Sequence, residues 1–164
     1  MLGRLLGHLF ARAAHRVYPA DSLQRIAQAI AAGESHHRGE ICFAVESALS
    51  ASRVLRGMSA RERALEVFAR LRVWDTQANN GVLVYLLLAD HRIEIVADRG
   101  LDAMVSAEQW RGVCVLMEER LQAGEAEAAA IAGVAAISDL LAEHFPRATG
   151  EADVNELPDS PRVL

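Results

Sequence analysis

Residues 74–101 read WDTQANNGVLVYLLLADHRIEIVADRGL, and the fold turns on this stretch. At its centre, 82–88 is an unbroken apolar run, VLVYLLL, bounded by Gly81 and Asp90. A run so short and bulky predicts a central β-strand covered on both faces. Asp90 and His91 form a short turn. Beyond it, Ile93 and Ile95 alternate with Glu94 and Val96, the pattern of a second strand over 92–98. A two-residue turn would set Val82 opposite Arg99 and Leu83 opposite Asp98. The polar residues before the first strand then lie beside those after the second.

Working outward, 40–49 reads as a further strand, with Ile41, Phe43 and Val45 alternating against Cys42, Ala44 and Glu46. Residues 50–57 read as a connection. Ser59 and Glu62 make a capping-box pattern ahead of a helix to about Leu71. The strand–helix–strand unit 40–88 implies a right-handed parallel crossover, to which the hairpin adds an antiparallel strand. Asp21 with Gln24 and Ser106 with Gln109 start two more helices, the first stopping at Gly33 and the second near Gln122. A last helix covers 126–144, before Pro146. The expected fold class is α/β: a three-layer α/β/α sandwich with a short mixed β-sheet, plus N-terminal helices. The expected organisation is 1–35 as N-terminal amphipathic helices on or beside the domain, 36–146 as the α/β/α domain, and 147–164 as an extended or disordered acidic tail.

Length and composition suit one domain: 164 residues, 52% of them hydrophobic. Net charge is −5, and no arginine cluster outweighs the acids, which argues against a nucleic-acid surface. All 17 basic residues are arginine. Without lysine there is no P-loop and no Schiff-base chemistry. Cys42 and Cys114 sit apart in apolar runs and read as buried free thiols, in keeping with a reducing compartment. Near the N-terminus, Arg4, His8, Arg12 and Arg16 interrupt the apolar stretches, so neither a signal peptide nor a spanning helix is expected. Leu2, Leu5, Leu6, Leu9, Phe10, Ala13 and Val17 instead repeat at helical spacing. Such a helix either packs on the domain or touches a membrane surface or partner. The expected location is the cytoplasm, at the inner face of the membrane.

The chemistry-bearing residues gather at one end of the sheet. Asp75, Thr76, Asn79 and Asn80 should approach Asp98, Arg99 and Asp102, with Glu40 and His36-His37 at the same end. Hard oxygen atoms of this kind suit Ca²⁺ or Mg²⁺. The metal candidates are Asp75, Asn79, Asn80, Asp98 and Asp102, and Arg99 is the candidate phosphate ligand. The same residue types also serve ordinary turns and caps. His36-His37 reads as a solvated pair, Glu94 as a solvated charge on an edge strand, and Trp74 and Trp110 as packing anchors. No GxSxG, GxGxxG or HExxH occurs, and no nucleophile stands out.

Several pieces together resemble the TPM domain family: RGEICFAVESAL at 38–49, RERALEVFARL at 61–71, the stretch 74–101, AEQWRGVCVLMEERLQAGE at 107–125 and LLAEHFP at 140–146. The tail NELPDSPRVL, 155–164, resembles that of short bacterial members. The resemblance implies an α/β/α sandwich with a short mixed sheet. It includes thylakoid proteins linked to photosystem II repair and bacterial membrane-associated proteins. Acid phosphatase activity has been proposed for the family and divalent-cation binding is associated with some members, neither being general, and short members often accompany LemA-like membrane proteins. Asp75, Thr76, Asn79, Asn80, Gly81, Asp98, Arg99 and Gly100 match the family's motifs. The chain departs from many relatives in showing no secretion signal or transmembrane helix. After Gly124, EAEAAAIAGV lacks the second glycine and aromatic common among them. The expected function is an interaction or assembly module with a membrane-associated, LemA-like partner and a divalent cation. The alternative is a metal-dependent acid phosphatase-like hydrolase, in which a metal-activated water attacks.

Overall fold

The computed structural model describes residues 2–148, 150 and 154–164. Among these are seven α-helices and one four-stranded mixed sheet. The strands are β1 (Glu40–Glu46), β2 (Gly81–Leu87), β3 (Arg92–Ala97) and β4 (Arg162–Val163), in the order β3-β2-β1-β4. β1 runs parallel to β2 and to β4, and β2 pairs antiparallel with β3. The helices are α1 (Leu2–Leu9), α2 (Ala14–Val17), α3 (Ala20–Glu34), α4 (Ala51–Leu55), α5 (Ala60–Arg70), α6 (Ala107–Gln122) and α7 (Ala126–His144).

The alternation read from the sequence sorts the strand residues onto two faces. Ile41, Phe43, Val45, Val82, Val84 and Leu86 share a core with Ile26 and Ile30 of α3, Met117 of α6 and Ile137 of α7. Cys42, Ala44, Leu83, Tyr85 and Leu87 face Val54 of α4 and Ala64 and Val67 of α5. Each position of β2 is buried, as a strand between two helix layers requires. α3 lies within the core, so the domain reaches further toward the N-terminus than residue 36.

Besides α3 starting at Ala20 behind Pro19 without a side-chain cap, and the 50–57 connection containing α4, three sequence expectations need adjustment. The turn after β2 is longer than two residues: Leu88–Asp90 forms a 3-10 turn and His91 takes a left-handed φ of 50°. The register is therefore Val82 with Ala97 and Leu83 with Val96. The shift of two keeps each side chain on its face, because side-chain direction repeats every two residues. Gly33 does not end α3 but lies within it, against Ser138 of α7.

The third adjustment concerns the tail. Of the segment expected to be loose, 149 and 151–153 lie outside the described residues. Residues 154–164 fold back onto the sheet. The Glu40 carboxylate accepts hydrogen bonds from the Glu156 and Leu157 amides, at 3.3 and 3.0 Å. Leu157 is buried with the α5-side core, and Arg162 and Val163 pair with Ala44 and Val45. The Leu164 amide then donates to Val45 O at 3.0 Å.

One polar cluster sits inside the α5 layer. Glu46 ends β1 pointing inward, where Arg63 of α5 donates from Nε to Oε2 at 2.7 Å and from Nη2 to Oε1 at 3.2 Å. The Tyr85 hydroxyl donates to the same carboxylate at 2.7 Å. Burial, and then the bond to Glu46, hold the Tyr85 phenol well above its ordinary pKa, so it stays a donor. α5 is aligned for this by its capping box: the Ser59 side chain accepts from the Glu62 amide, and the Glu62 carboxylate accepts from the Ser59 amide.

Two stability outcomes follow. Glu46→Ala leaves the buried Arg63 guanidinium with Glu66 alone, 3.0 Å from Nη1 on the exposed side of α5, and should cost about 3 kcal/mol. Tyr85→Phe, which removes one hydroxyl from a carboxylate that keeps Arg63, should cost about 1–3 kcal/mol. Urea unfolding measures both, and the reverse ranking would show that Arg63 does not depend on Glu46. Leu157→Ala should cost about 2–5 kcal/mol and speed amide exchange at Leu164. Unchanged exchange there would mean that β4 holds without its anchor.

Candidate functional site

The loop joining α5 to β2 and the turn following β3 are stitched together by backbone. Arg72 leaves α5 in a left-handed conformation, φ 58°, and Val73 turns inward to full burial. Its carbonyl lies over Gly81, where a Cβ would come within 2.0 Å of that oxygen. Thr76 Oγ1 accepts from the Asn80 amide at 3.0 Å, closing the loop. Asn79 sits at φ 51°, a region asparagine tolerates better than most residues. Asn80 is fully buried, and its Nδ2 donates to Arg38 O at 2.8 Å. The other segment joins directly: the Asp98 amide donates to Gly81 O, and the Gly100 amide to Asn79 O, both at 2.9 Å. A Cβ on Gly100 would meet Asn79 O at 2.5 Å. The two motif glycines thus permit backbone-to-backbone contact.

The expected meeting of the two polar segments occurs, but their side chains divide into two groups. Asp98 is buried: its Oδ1 accepts from the Arg99 amide at 2.8 Å, capping the short turn Arg99–Leu101. Asp98 Oδ2 and Asn80 Oδ1 are buried and have no hydrogen-bond partner among the described residues. Asp75 and Asp102 are exposed, and Asp75 lies 3.6 Å from Arg72 Nε. Asn79 Oδ1 is taken by Arg99, whose Nε donates to it at 3.0 Å, and Arg99 is exposed. Among the described residues no three His, Cys, Asp or Glu side chains lie close enough to hold a metal ion together. Asp75, Asp98 and Asp102 do not form a carboxylate cage.

The neighbours at this sheet end have structural work. Glu40 holds the tail, as described above. His36 is exposed, but His37 is not the solvated partner expected. It is fully buried, its Nδ1 lies 2.9 Å from Gly39 O, and it bridges to Pro146. Glu94 is also less exposed than expected. Arg61 of α5 lies 3.8 Å away, and burial raises the carboxyl above its ordinary pKa. Cys42 and Cys114 are free thiols, each pushed up to about 11 by burial. A thiol so protonated is a poor nucleophile.

Sequence reasoning assigned Trp74 to packing. It is instead 46% exposed, with the Arg72 guanidinium 6.0 Å from its ring centroid. A single tryptophan beside a loop carries no periodicity to reveal its direction, so only the left-handed exit of the chain at Arg72 exposes this feature. The edge therefore presents Arg72, Trp74, Asp75, Arg99 and Asp102 around a rigid backbone seam. The surface depressions at 124–128, lined by Val17, Ser22 and Ala126, include none of these residues.

No helix among the described residues is long and apolar enough to cross a membrane. No curated protein matches the chain. A solved structure does: the NMR structure of BA42 protein from the psychrophilic bacterium Bizionia argentinensis, at 26% identity and a TM-score of 0.77, covering 88% of this chain and 93% of that one. The TPM domain model matches residues 17–140, from α2 into α7 and across both stitched segments. The chain belongs to the TPM domain family.

Proposed function

We propose that the chain is a non-catalytic interaction module, whose binding edge is formed by the 72–80 loop and the 98–102 turn. The observation that carries this reading is Trp74, exposed and flanked by Arg72 on a loop that the Gly81 and Gly100 contacts hold rigid. Tryptophan and arginine are the residue types most enriched among interface hot spots, and a rigid seam lowers the entropy lost on binding. The partner is a membrane-associated protein of the LemA-like kind that the family resemblance implies.

A divalent cation belongs to the same proposal. Asp98 Oδ2 and Asn80 Oδ1 are buried oxygens that leave acceptor capacity unused. Carboxylate, amide and backbone carbonyl oxygens are the donors that Ca²⁺ and Mg²⁺ take. Asp98 and Asn80 would hold the ion, which would neutralise the buried carboxylate and stiffen the seam beneath Trp74. Hydrolysis of phosphate esters has less support, since the Arg99 guanidinium is engaged by Asn79.

Titration with Ca²⁺, Mg²⁺ and Mn²⁺ should move amide resonances confined to 75–81 and 98–102, and Asp98→Asn should abolish the shifts. Flat spectra at millimolar metal would remove the cation. Metal-dependent cleavage of a model phosphate ester, lost in Asp98→Asn, would replace the module by the hydrolase. Capture from detergent-solubilised membranes tests the edge itself. Trp74→Ala should abolish it, a loss of about 2 kcal/mol or more in binding. Stability should change by only about 0.5 kcal/mol, since the side chain is exposed. Capture unaffected by Trp74→Ala would move the partner surface elsewhere.

A further inference from the structure

The N-terminal helix is docked the opposite way round from an ordinary surface helix. Its polar side faces the protein. Arg4 donates through Nε and Nη2 to Asp90, at 2.7–3.2 Å, and through Nη2 to Met58 O at 2.7 Å. His8, one turn on, is buried: its Nδ1 accepts from the Leu49 amide at 3.0 Å, and its Nε2 lies 3.0 Å from Asp90 Oδ1. An imidazole that accepts at Nδ1 carries its proton on Nε2, so that nitrogen donates to Asp90. Leu5 packs inward beside this pair.

The apolar side is left facing out. Leu2, Leu6, Leu9 and Phe10 are 72%, 46%, 63% and 82% exposed, and Leu55 of the adjoining α4 is 53% exposed. At about 100° per residue, Arg4 and His8 lie opposite this set. Apolar side chains gathered in this way mark an interaction surface.

The charge around the patch says what covers it. Residues 1–20 contain Arg4, Arg12 and Arg16 and no acidic residue, whereas the other 144 carry all 22 acids against 14 arginines. Arg4 is spent on Asp90. Arg12 and Arg16 are exposed just beyond the helix, with no ion pair among the described residues. We infer that α1 lies on an anionic lipid bilayer, with Leu2, Leu6, Leu9 and Phe10 entering the headgroup boundary and Arg12 and Arg16 contacting lipid phosphates. Apolar insertion beside a basic rim is how interfacial helices bind, and the acidic remainder of the protein is turned away by the same surface potential. This surface is separate from the Trp74 edge and stands whether or not that edge binds a partner.

Sedimentation of the full chain with phosphatidylcholine vesicles containing about one-third phosphatidylglycerol tests the inference. The protein should pellet with these vesicles and not with pure phosphatidylcholine. Leu6→Glu with Phe10→Glu should abolish pelleting while thermal unfolding stays unchanged, because both side chains are exposed. Arg12→Ala and Arg16→Ala should each weaken it about fivefold, more at low salt than high. Trp74→Ala should leave it intact, which separates this surface from the partner edge. Failure to pellet with the anionic vesicles, or pelleting that survives the glutamate pair, would overturn it. So would a concentration-dependent dimer in light scattering that the glutamate pair dissolves, since a second copy would then be the occupant.

Discussion

Strand β2 has to be covered on both faces over its whole length. Its seven residues, Gly81–Leu87, are all buried, and it lies between β1 and β3. That demand sets the two helix layers, and it leaves no room for an unpaired charge where β1 and β2 meet α5. Glu46 is tolerable there only because Arg63 and Tyr85 reach it together. A buried ion pair gives little net stability over an apolar one, but it resists misalignment, since a shift of α5 by one turn would strand Glu46. The cluster thereby fixes where α5 ends, hence where the chain turns at Arg72, and hence the position of the loop at the sheet's end.

Much of this was legible in the residues themselves. The apolar run 82–88 announced a doubly covered strand, and the alternation in 40–46 sorted its two faces correctly. The capping boxes at Ser59 and Ser106 marked helix starts that both exist. What escaped depended on contacts distant in sequence. The β2–β3 turn lengthened because His91 accepts a left-handed conformation, which no Asn-Gly signal advertised. The tail looked too polar to fold, yet Leu157 and Leu164 pack on the α5-side core, a short strand pairs with β1, and Glu40 supplies acceptors for two amides. His37 is buried where it bridges to Pro146, more than a hundred residues away. In the candidate site, proximity of the two polar segments was readable. Which oxygens face inward was not, because the same residue types serve both caps and ligands.

The inverted α1 shows how a helical pattern leaves its own orientation open. Periodicity reports that one side is apolar and is silent on which side meets the protein. Here the decision falls to Asp90, whose carboxyl is pushed up by burial but held below its usual range overall by Arg4 and His8.

The family motifs divide along a physical line. Thr76, Asn80, Gly81 and Gly100 are consumed by the seam: a hydroxyl closing a loop, a buried amide tying β2 to Arg38, and two glycines whose missing Cβ lets backbones touch. Any member of the fold that joins these segments in the same way meets the same steric demand, whatever it binds. Trp74, Asp75, Arg99 and Asp102 stand on the same seam but are exposed, with Arg99 also reaching Asn79 Oδ1 across it. Asp98 lies between the two groups, with one oxygen capping a turn and the other unspent. Belonging to the family therefore accounts for the platform and leaves open what its outward side chains do. Differences in function between members should be sought at those outward positions before the glycines and amides that make the motif recognisable.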